Sequence, residues 1–256
     1  MEGRRLAPLT VPAADPHACT PRARLEVLSS VPFFAGLEHD EVHEVDRMCR
    51  ARGVQPGERV YQQGDPARHL YVVATGAVKA GRSSADGHET VLDLLFPGDF
   101  LGTYPAAGHA AYPDTATAVL PTCVLALPSE DFSALLRRFP PVALAALEGV
   151  TLRLSRTQDT VHRLSGAPVE RRLAAVLLLV ADRVGEPWKD AILLQVPLTR
   201  EDLAAMTGAA TETVSRVISQ WRREGLVETG RRWVAIRDRA ALERLREGET
   251  ERSRPG

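Results

Sequence analysis

Residues 199–236, TREDLAAMTGAATETVSRVISQWRREGLVETGRRWVAI, constrain the fold more than any other stretch of the chain. Two short helical segments, about residues 200–206 and 211–223, are separated by Thr207-Gly208-Ala209-Ala210. Gly208 accepts the left-handed conformation that a sharp interhelical turn needs. Ala204, four residues earlier, is small enough for two helices to cross closely. Thr199 is placed to N-cap the first helix, with Asp202 three residues on, and Thr211 is placed to cap the second. A two-stranded basic wing follows. A helix-turn-helix of this kind presents its second helix to the major groove of DNA.

That second helix divides into two faces. Val214, Val217, Ile218 and Trp221 follow the i, i+3, i+4, i+7 pattern and form one apolar stripe. At about 100° per residue, Glu212, Ser215, Arg216, Ser219 and Arg223 fall on the opposite face. A solvated surface helix shows the same division, so the surrounding charge decides. From residue 216 to 237 there are six Arg and two Glu, an excess of +4 in a chain whose formal charge is −1. Local basicity beside a turn-linked helix pair is the footprint of phosphate binding.

The 256 residues suffice for one large or two ordinary domains, and a 44% hydrophobic, 25% charged composition is that of a soluble globular chain. The longest apolar run, residues 173–181, has nine members, too few to span a membrane. Residues 1–24 carry no sustained apolar core, which argues against a secretory signal and for a mobile tail. Three Cys, far apart, make no disulfide framework, so a reducing cytoplasm is expected.

Between residues 25 and 50 the pattern is helical on both sides of Pro32-Phe33-Phe34-Ala35-Gly36, with Leu37, Val42, Val45 and Met48 on one side of the second helix. From 52 to 128 the period shifts to short apolar or alternating runs punctuated by glycine, with Asp86-Gly87 as a hairpin turn. Many short strands with regular turns predict a compact β-barrel or jelly roll. After Ser129 the chain turns helical. Ala143, Leu147, Val150, Leu154, Thr157, Val161 and Leu164 keep a heptad seam that suits a two-stranded coiled coil, or alternatively a helix packed on its own barrel. Gly166-Ala167-Pro168 breaks this helix and makes a hinge. The expected division is a tail (1–24), a sensor barrel with flanking helices (25–140), a dimerisation helix (141–166), a winged helix-turn-helix (167–247) and a second tail (248–256).

This α+β order resembles the CRP/FNR superfamily of bacterial transcription regulators: a cyclic-nucleotide-binding-like β-barrel (double-stranded jelly roll), a long dimerisation helix and a C-terminal winged helix-turn-helix. The marks are Gly57-Glu58, Gly64-Asp65, Leu70-Tyr71-Val72-Val73, Gly76-Ala77-Val78-Lys79, Pro97-Gly98-Asp99-Phe100-Leu101-Gly102, Thr199-Arg200-Glu201-Asp202-Leu203-Ala204 and, most specifically, Glu212-Thr213-Val214-Ser215-Arg216. The triplet Glu212, Ser215 and Arg216 resembles the FNR type of recognition helix. The resemblance implies a homodimer on double-stranded DNA, a palindromic operator with TTGAT-like half-sites, and RNA polymerase as a further partner. Residue chemistry agrees: Arg216 can fork onto guanine O6 and N7, and Glu212 can accept from a cytosine amino group. Arg200, Thr213, Arg231 and Arg232 are the phosphate candidates; Leu147, Val150, Leu154 and Val161 are the candidate dimer seam.

Cyclic-AMP-binding relatives hold the phosphate and ribose with a Gly-Glu pair and an Arg-Ser about ten residues on. Here Gly102-Thr103 and Pro113-Asp114 stand in those places. With no Arg, and with Asp114 repelling an anion, the expected effector is not cyclic AMP; Gly102, Thr103 and Asp114 mark whatever pocket survives. An iron–sulfur cluster needs four thiolates, and Cys19, Cys49 and Cys123 are three. Cys49 and Cys123 are expected as small core residues, and Cys19 as a solvated free thiol on the tail, with a reactive thiol there as the alternative. Haem would need an axial ligand, and no spacing selects His17, His69, His88 or His109. The expectation is therefore a regulator without cofactor, with a haem- or redox-dependent gas sensor of the same fold as the alternative. A cupin-like metal enzyme is disfavoured, because no His-x-His pair occurs.

Overall fold

The computed structural model describes residues 19–83, 89–103, 110–164 and 166–248, without the side chains of residues 89, 156 and 159–164. The chain divides into two compact units within its longest helix, between Gln158 and Asp159.

The first unit opens with α1 (Pro21–Ser30), a 3-10 turn at Pro32–Phe34 and α2 (His39–Met48). The helix thus starts ahead of residue 25, because Thr20 caps it by accepting from the Ala23 N–H and Pro21 sits at its first position. Eight strands follow: β1 (Arg50–Val54), β2 (Arg59–Tyr61), β3 (His69–Thr75), β4 (Val78–Ser83), β5 (Glu89–Leu95), β6 (Phe100–Leu101), β7 (Thr115–Ala118) and β8 (Thr122–Pro128). They form two antiparallel four-stranded sheets, ordered β1-β8-β3-β6 and β2-β7-β4-β5, the expected jelly roll. The expected Asp86-Gly87 turn lies outside the described residues, although β4 and β5 pair on either side of it.

Alternation along β3 and β8 explains how one sheet serves two cores. Tyr71, Val73, Val124 and Ala126 point between the sheets, where they meet Tyr61, Val78, Leu95, Leu101 and Tyr112. Leu70, Val72, Cys123, Leu125 and Leu127 point the other way, onto Val27, Leu28, Phe34, Val42, Val45 and, from α3 (Ser129–Arg138), Phe132 and Leu135. Both strands are buried on both faces, so they read as continuous apolar runs. α4 (Pro140–Leu164) then carries Leu147, Val150 and Leu154, which are 64%, 64% and 56% exposed. These three do not pack on the barrel. Val161 lies outside the described side chains.

One expectation is overturned here. Cys19 is not a solvated tail thiol: it is bonded to Cys123 across 104 residues of sequence, with their Cα atoms 6.2 Å apart. Spacing along the chain gave no hint, because the contact arises from α1 packing over β3, the strand beside β8. Cysteine count therefore carries no argument for a reducing compartment. Cys49 and Cys123 are both buried, as expected, but only Cys49 is a free thiol.

The second unit holds α5 (Val169–Val184), β9 (Gly185–Trp188), β10 (Ala191–Leu194), α6 (Arg200–Thr207), α7 (Thr211–Arg223), β11 (Val227–Gly230), β12 (Trp233–Ile236) and α8 (Arg239–Glu247). Pro168 is the N-cap of α5, so the helix break at 166–168 stands where expected. The wing is larger than read from sequence: β11 and β12 extend into a four-stranded sheet, ordered β11-β12-β10-β9. Among the described residues no helix is long and apolar enough to cross a membrane.

Candidate DNA interface and sensor interior

The turn between α6 and α7 is built as its residues dictate. Thr199 accepts from the Asp202 N–H at 3.0 Å, and the Asp202 carboxylate accepts from the Thr199 N–H at 3.0 Å, closing a capping box. Gly208 ends α6 at φ 58°, ψ 38°, in the left-handed region. Thr207 is buried and donates its hydroxyl to the Leu203 carbonyl at 2.7 Å. Val214, Val217, Ile218 and Trp221 are all buried. The apolar stripe of α7 is therefore committed to the interior, and its other face is left to solvent.

Thr211 differs from expectation. It is the first helical residue, and Ala210 is the N-cap, with no side-chain hydrogen bond. A helix start without a side-chain cap leaves N–H groups facing outward with the positive end of the helix dipole, which suits a phosphate.

On the outer face of α7, Glu212 and Arg216 are exposed, with Ser215 and Thr213 half-buried beside them. Among the described residues no ion pair joins Glu212 to Arg216, although they are four apart. Both therefore remain available to a partner. Arg200, at the first position of α6, is half-buried; burial, then the neighbouring Arg222, lowers its pKa. The Arg200 guanidinium therefore lies within electrostatic reach of a second cation, Arg222. Arg231 and Arg232 form the exposed tip of the wing, joining Gly230 to its strand partner Trp233. Arg232 has φ 63°, a conformation a non-glycine residue adopts at a cost of about 1–2 kcal/mol.

Sequence reading missed the β9–β10 hairpin. It braces the wing: Trp188 and Trp233 meet edge to face at 5.4 Å, and Lys189 Nζ lies 4.1 Å over the Trp188 ring. Arg237, one of the six Arg in the basic excess, is held by Asp190 at 2.8 Å. The Lys189-Asp190 turn between two apolar residues was the available signal.

The sensor interior is aromatic. Tyr61 stacks on Tyr112 at 4.0 Å and on Tyr71 at 5.7 Å. Asp114, 9% exposed, accepts from the Tyr61 hydroxyl at 2.9 Å, and the Tyr112 hydroxyl donates to the His69 carbonyl at 2.8 Å. Burial first, and then the charge of Asp114, push the Tyr61 pKa above the ordinary phenol value. Gly102, at φ 103°, passes close to His69 and Tyr112, and Thr103 is half-buried. Residues 104–109, which include His109, lie outside the described residues, as do His17 and His88. His69 is held below the usual imidazole pKa by burial, then by Arg50 and Arg68. Three cysteines, two of them bonded together, do not fit a four-thiolate cluster.

Comparison with known proteins covers both units. A cyclic nucleotide-binding domain profile matches residues 51–139, and a Crp-like helix-turn-helix domain profile matches residues 171–245. The chain is 36% identical to the "Cyclic AMP receptor protein" of Thermus thermophilus over 217 residues, 84% of this chain and 96% of that protein. It is 24% identical to the "Fumarate and nitrate reduction regulatory protein" of Escherichia coli, over 84% of this chain and 85% of that one. The crystal structure of a CRP-family transcriptional regulator from Thermus thermophilus superposes with a TM-score of 0.65 at 31% identity, covering 77% of this chain and 96% of that one. These relatives are transcription regulators and not enzymes, which removes the cupin-like reading. With a jelly-roll sensor, a helix-turn-helix carrying a basic wing, and relatives matched over nearly their full length, the chain belongs to the CRP/FNR superfamily of bacterial transcription regulators.

Proposed function

We propose that the protein is a homodimeric, sequence-specific regulator, acting in the cytoplasm, that reads a TTGAT-like inverted repeat. Glu212, Ser215 and Arg216 read base edges. Arg200, Thr213, Arg231 and Arg232 hold phosphates. The observation that carries this reading is the exposed face of α7: a carboxylate and a guanidinium one turn apart, with no ion pair between them among the described residues. The exposed Leu147, Val150 and Leu154, with Val161, form the seam of a two-fold dimer, which matches a palindromic site. RNA polymerase is the further partner where the protein activates.

The effector is not cyclic AMP, although the Thermus thermophilus relative is named for it. Support comes from the barrel interior. Asp114, where the phosphate-holding Arg-Ser of cyclic-AMP-binding relatives would fall, is a buried carboxylate engaged by Tyr61. An anionic phosphate brought there meets the like charge of a buried carboxylate.

Fluorescence anisotropy on a TTGAT-N4-ATCAA duplex, at several salt concentrations, tests the DNA reading. Expected is binding that weakens steeply with salt and drops at least tenfold, about 1.4 kcal/mol, when the half-site guanine is replaced. Equal affinity for both duplexes overturns the base-reading assignment. Calorimetry with cyclic AMP separately tests the sensor, where no binding heat is expected.

A further inference from the structure

We propose that Cys19 and Cys123 form a redox site whose disulfide exchanges with dithiols and controls the anchoring of the segment that enters α1. The inference stands independently of the DNA reading.

The pair joins two different kinds of position. Cys19 directly precedes the Thr20 cap of α1 and is half-buried. Cys123 is 3% exposed and stands on β8, on the face of the sheet that meets α1 and α2. Cys49 belongs to the same core cluster but stays a thiol. Burial, then Asp46, pushes its pKa up to about 12, so it is protonated at neutral pH and does not compete as a nucleophile.

Cys19 is the more exposed residue of the pair, and the incoming thiolate arrives there. It attacks Cys19 Sγ, the bond to Cys123 breaks, and Cys123 leaves as a thiolate that takes up a proton. The second thiol of the same dithiol, deprotonated, attacks the mixed disulfide at the dithiol's own sulfur and releases Cys19, which is protonated in turn. The protein disulfide gains two electrons and two protons; the dithiol loses them and becomes a disulfide. Oxidised dithiol or another small disulfide runs the sequence in reverse.

Release is local because α1 has other anchors. Arg24 donates to the Asp46 carboxylate at 2.8 Å and to its carbonyl at 3.0 Å, and Val27 and Leu28 are buried in the core. Reduction therefore frees residues 19–23 while the sheets and the rest of α1 hold. A bond whose loss leaves the domain folded works as a switch. Cys123 also directly precedes Val124, which lines the sensor interior, so the tether acts on a strand shared by both cores.

Thiol counting with Ellman's reagent on the full chain tests this. Protein purified without reductant, then denatured, is expected to show one thiol, Cys49, and all three after dithiothreitol. The native protein should pass between these states reversibly in reduced and oxidised dithiothreitol, with unchanged far-ultraviolet circular dichroism. Tryptic cleavage after Arg22 should accelerate about tenfold on reduction, and Cys19→Ser should cleave at the fast rate in both conditions. Cys123→Ala should behave like Cys19→Ser, which separates loss of the tether from misfolding caused by either variant. Three thiols in oxidised wild-type protein, failure of the bond to re-form in the native state, or cooperative unfolding on reduction would each overturn the proposal.

Discussion

Tyr61 donates its hydroxyl to Asp114 at 2.9 Å inside the sensor barrel, joining β2 to the segment just before β7. The carboxylate is nearly inaccessible, so this donor matters to it. Tyr61→Phe is expected to destabilise the protein by about 1–3 kcal/mol in urea at neutral pH, because it leaves a buried acceptor without its partner. Burial of the Tyr61 phenol, then the charge of Asp114, also gives an alkaline signature. The folded pKa of Tyr61 is raised, so its contribution is fully present below the unfolded value near 10 and is lost as pH rises above it. Stability should fall by about 1.4 kcal/mol per pH unit from this group, and Tyr61→Phe should remove one proton's worth of that slope. An unchanged slope in the variant would count against Tyr61 as its source.

Arg216 and Arg231 are both exposed cations, yet they should respond differently to mutation. Arg216→Ala is expected to cost about 1–3 kcal/mol on the specific duplex and to flatten discrimination at the guanine. Arg231→Ala should weaken all duplexes alike and lower the salt slope by about one unit. Anisotropy titrations on matched and mismatched duplexes at varied salt distinguish a base reader from a phosphate contact.

Arg232 offers a case where stability and binding move in opposite directions. Its φ of 63° is unfavourable for a side chain and free for glycine. Arg232→Gly is expected to stabilise the wing's unit by up to about 1 kcal/mol in thermal unfolding while weakening DNA binding. A variant that loses both would mean that the Arg232 side chain braces the hairpin.

Much of this was legible because local chemistry and tertiary structure agree. Gly208, the Thr199–Asp202 box and the stripe from Val214 to Trp221 each announce one conformation, and each adopts it. The strand-rich region was visible for a different reason: residues such as Leu70 and Tyr71 are both apolar because the sheet is covered on both faces. Thr211 misled because a good capping residue also tolerates the first helical position, where it sits after Ala210. The Cys19–Cys123 bond was out of reach, since only the packing of α1 over the sheet that holds β3 and β8 brings its ends together. The aromatic filling of the sensor interior was not legible in the sequence. The stack of Tyr61, Tyr71 and Tyr112 draws on three separate segments.

The exposed leucines of α4 carry the last prediction. Leu147 and Leu154 are seven residues apart, about two helical turns, and therefore on one face, with Val150 between them. All three are more than half exposed, although burying one such side chain is worth about 1.5–3 kcal/mol. A helix that leaves this stripe open within a single chain gains by closing it against a second copy. Combining Leu147→Asp with Leu154→Asp places a carboxylate from each chain opposite its counterpart in such a seam, and the two repel. Sedimentation equilibrium should give a dimer for the wild type and a monomer for the double variant. Circular dichroism should be preserved, since neither side chain supports the barrel core. The monomer should also lose the TTGAT inverted repeat, because two half-sites one helical turn apart need two linked recognition helices. A wild-type monomer that nonetheless binds the full site would reject the seam and leave DNA as the element that brings the two copies together.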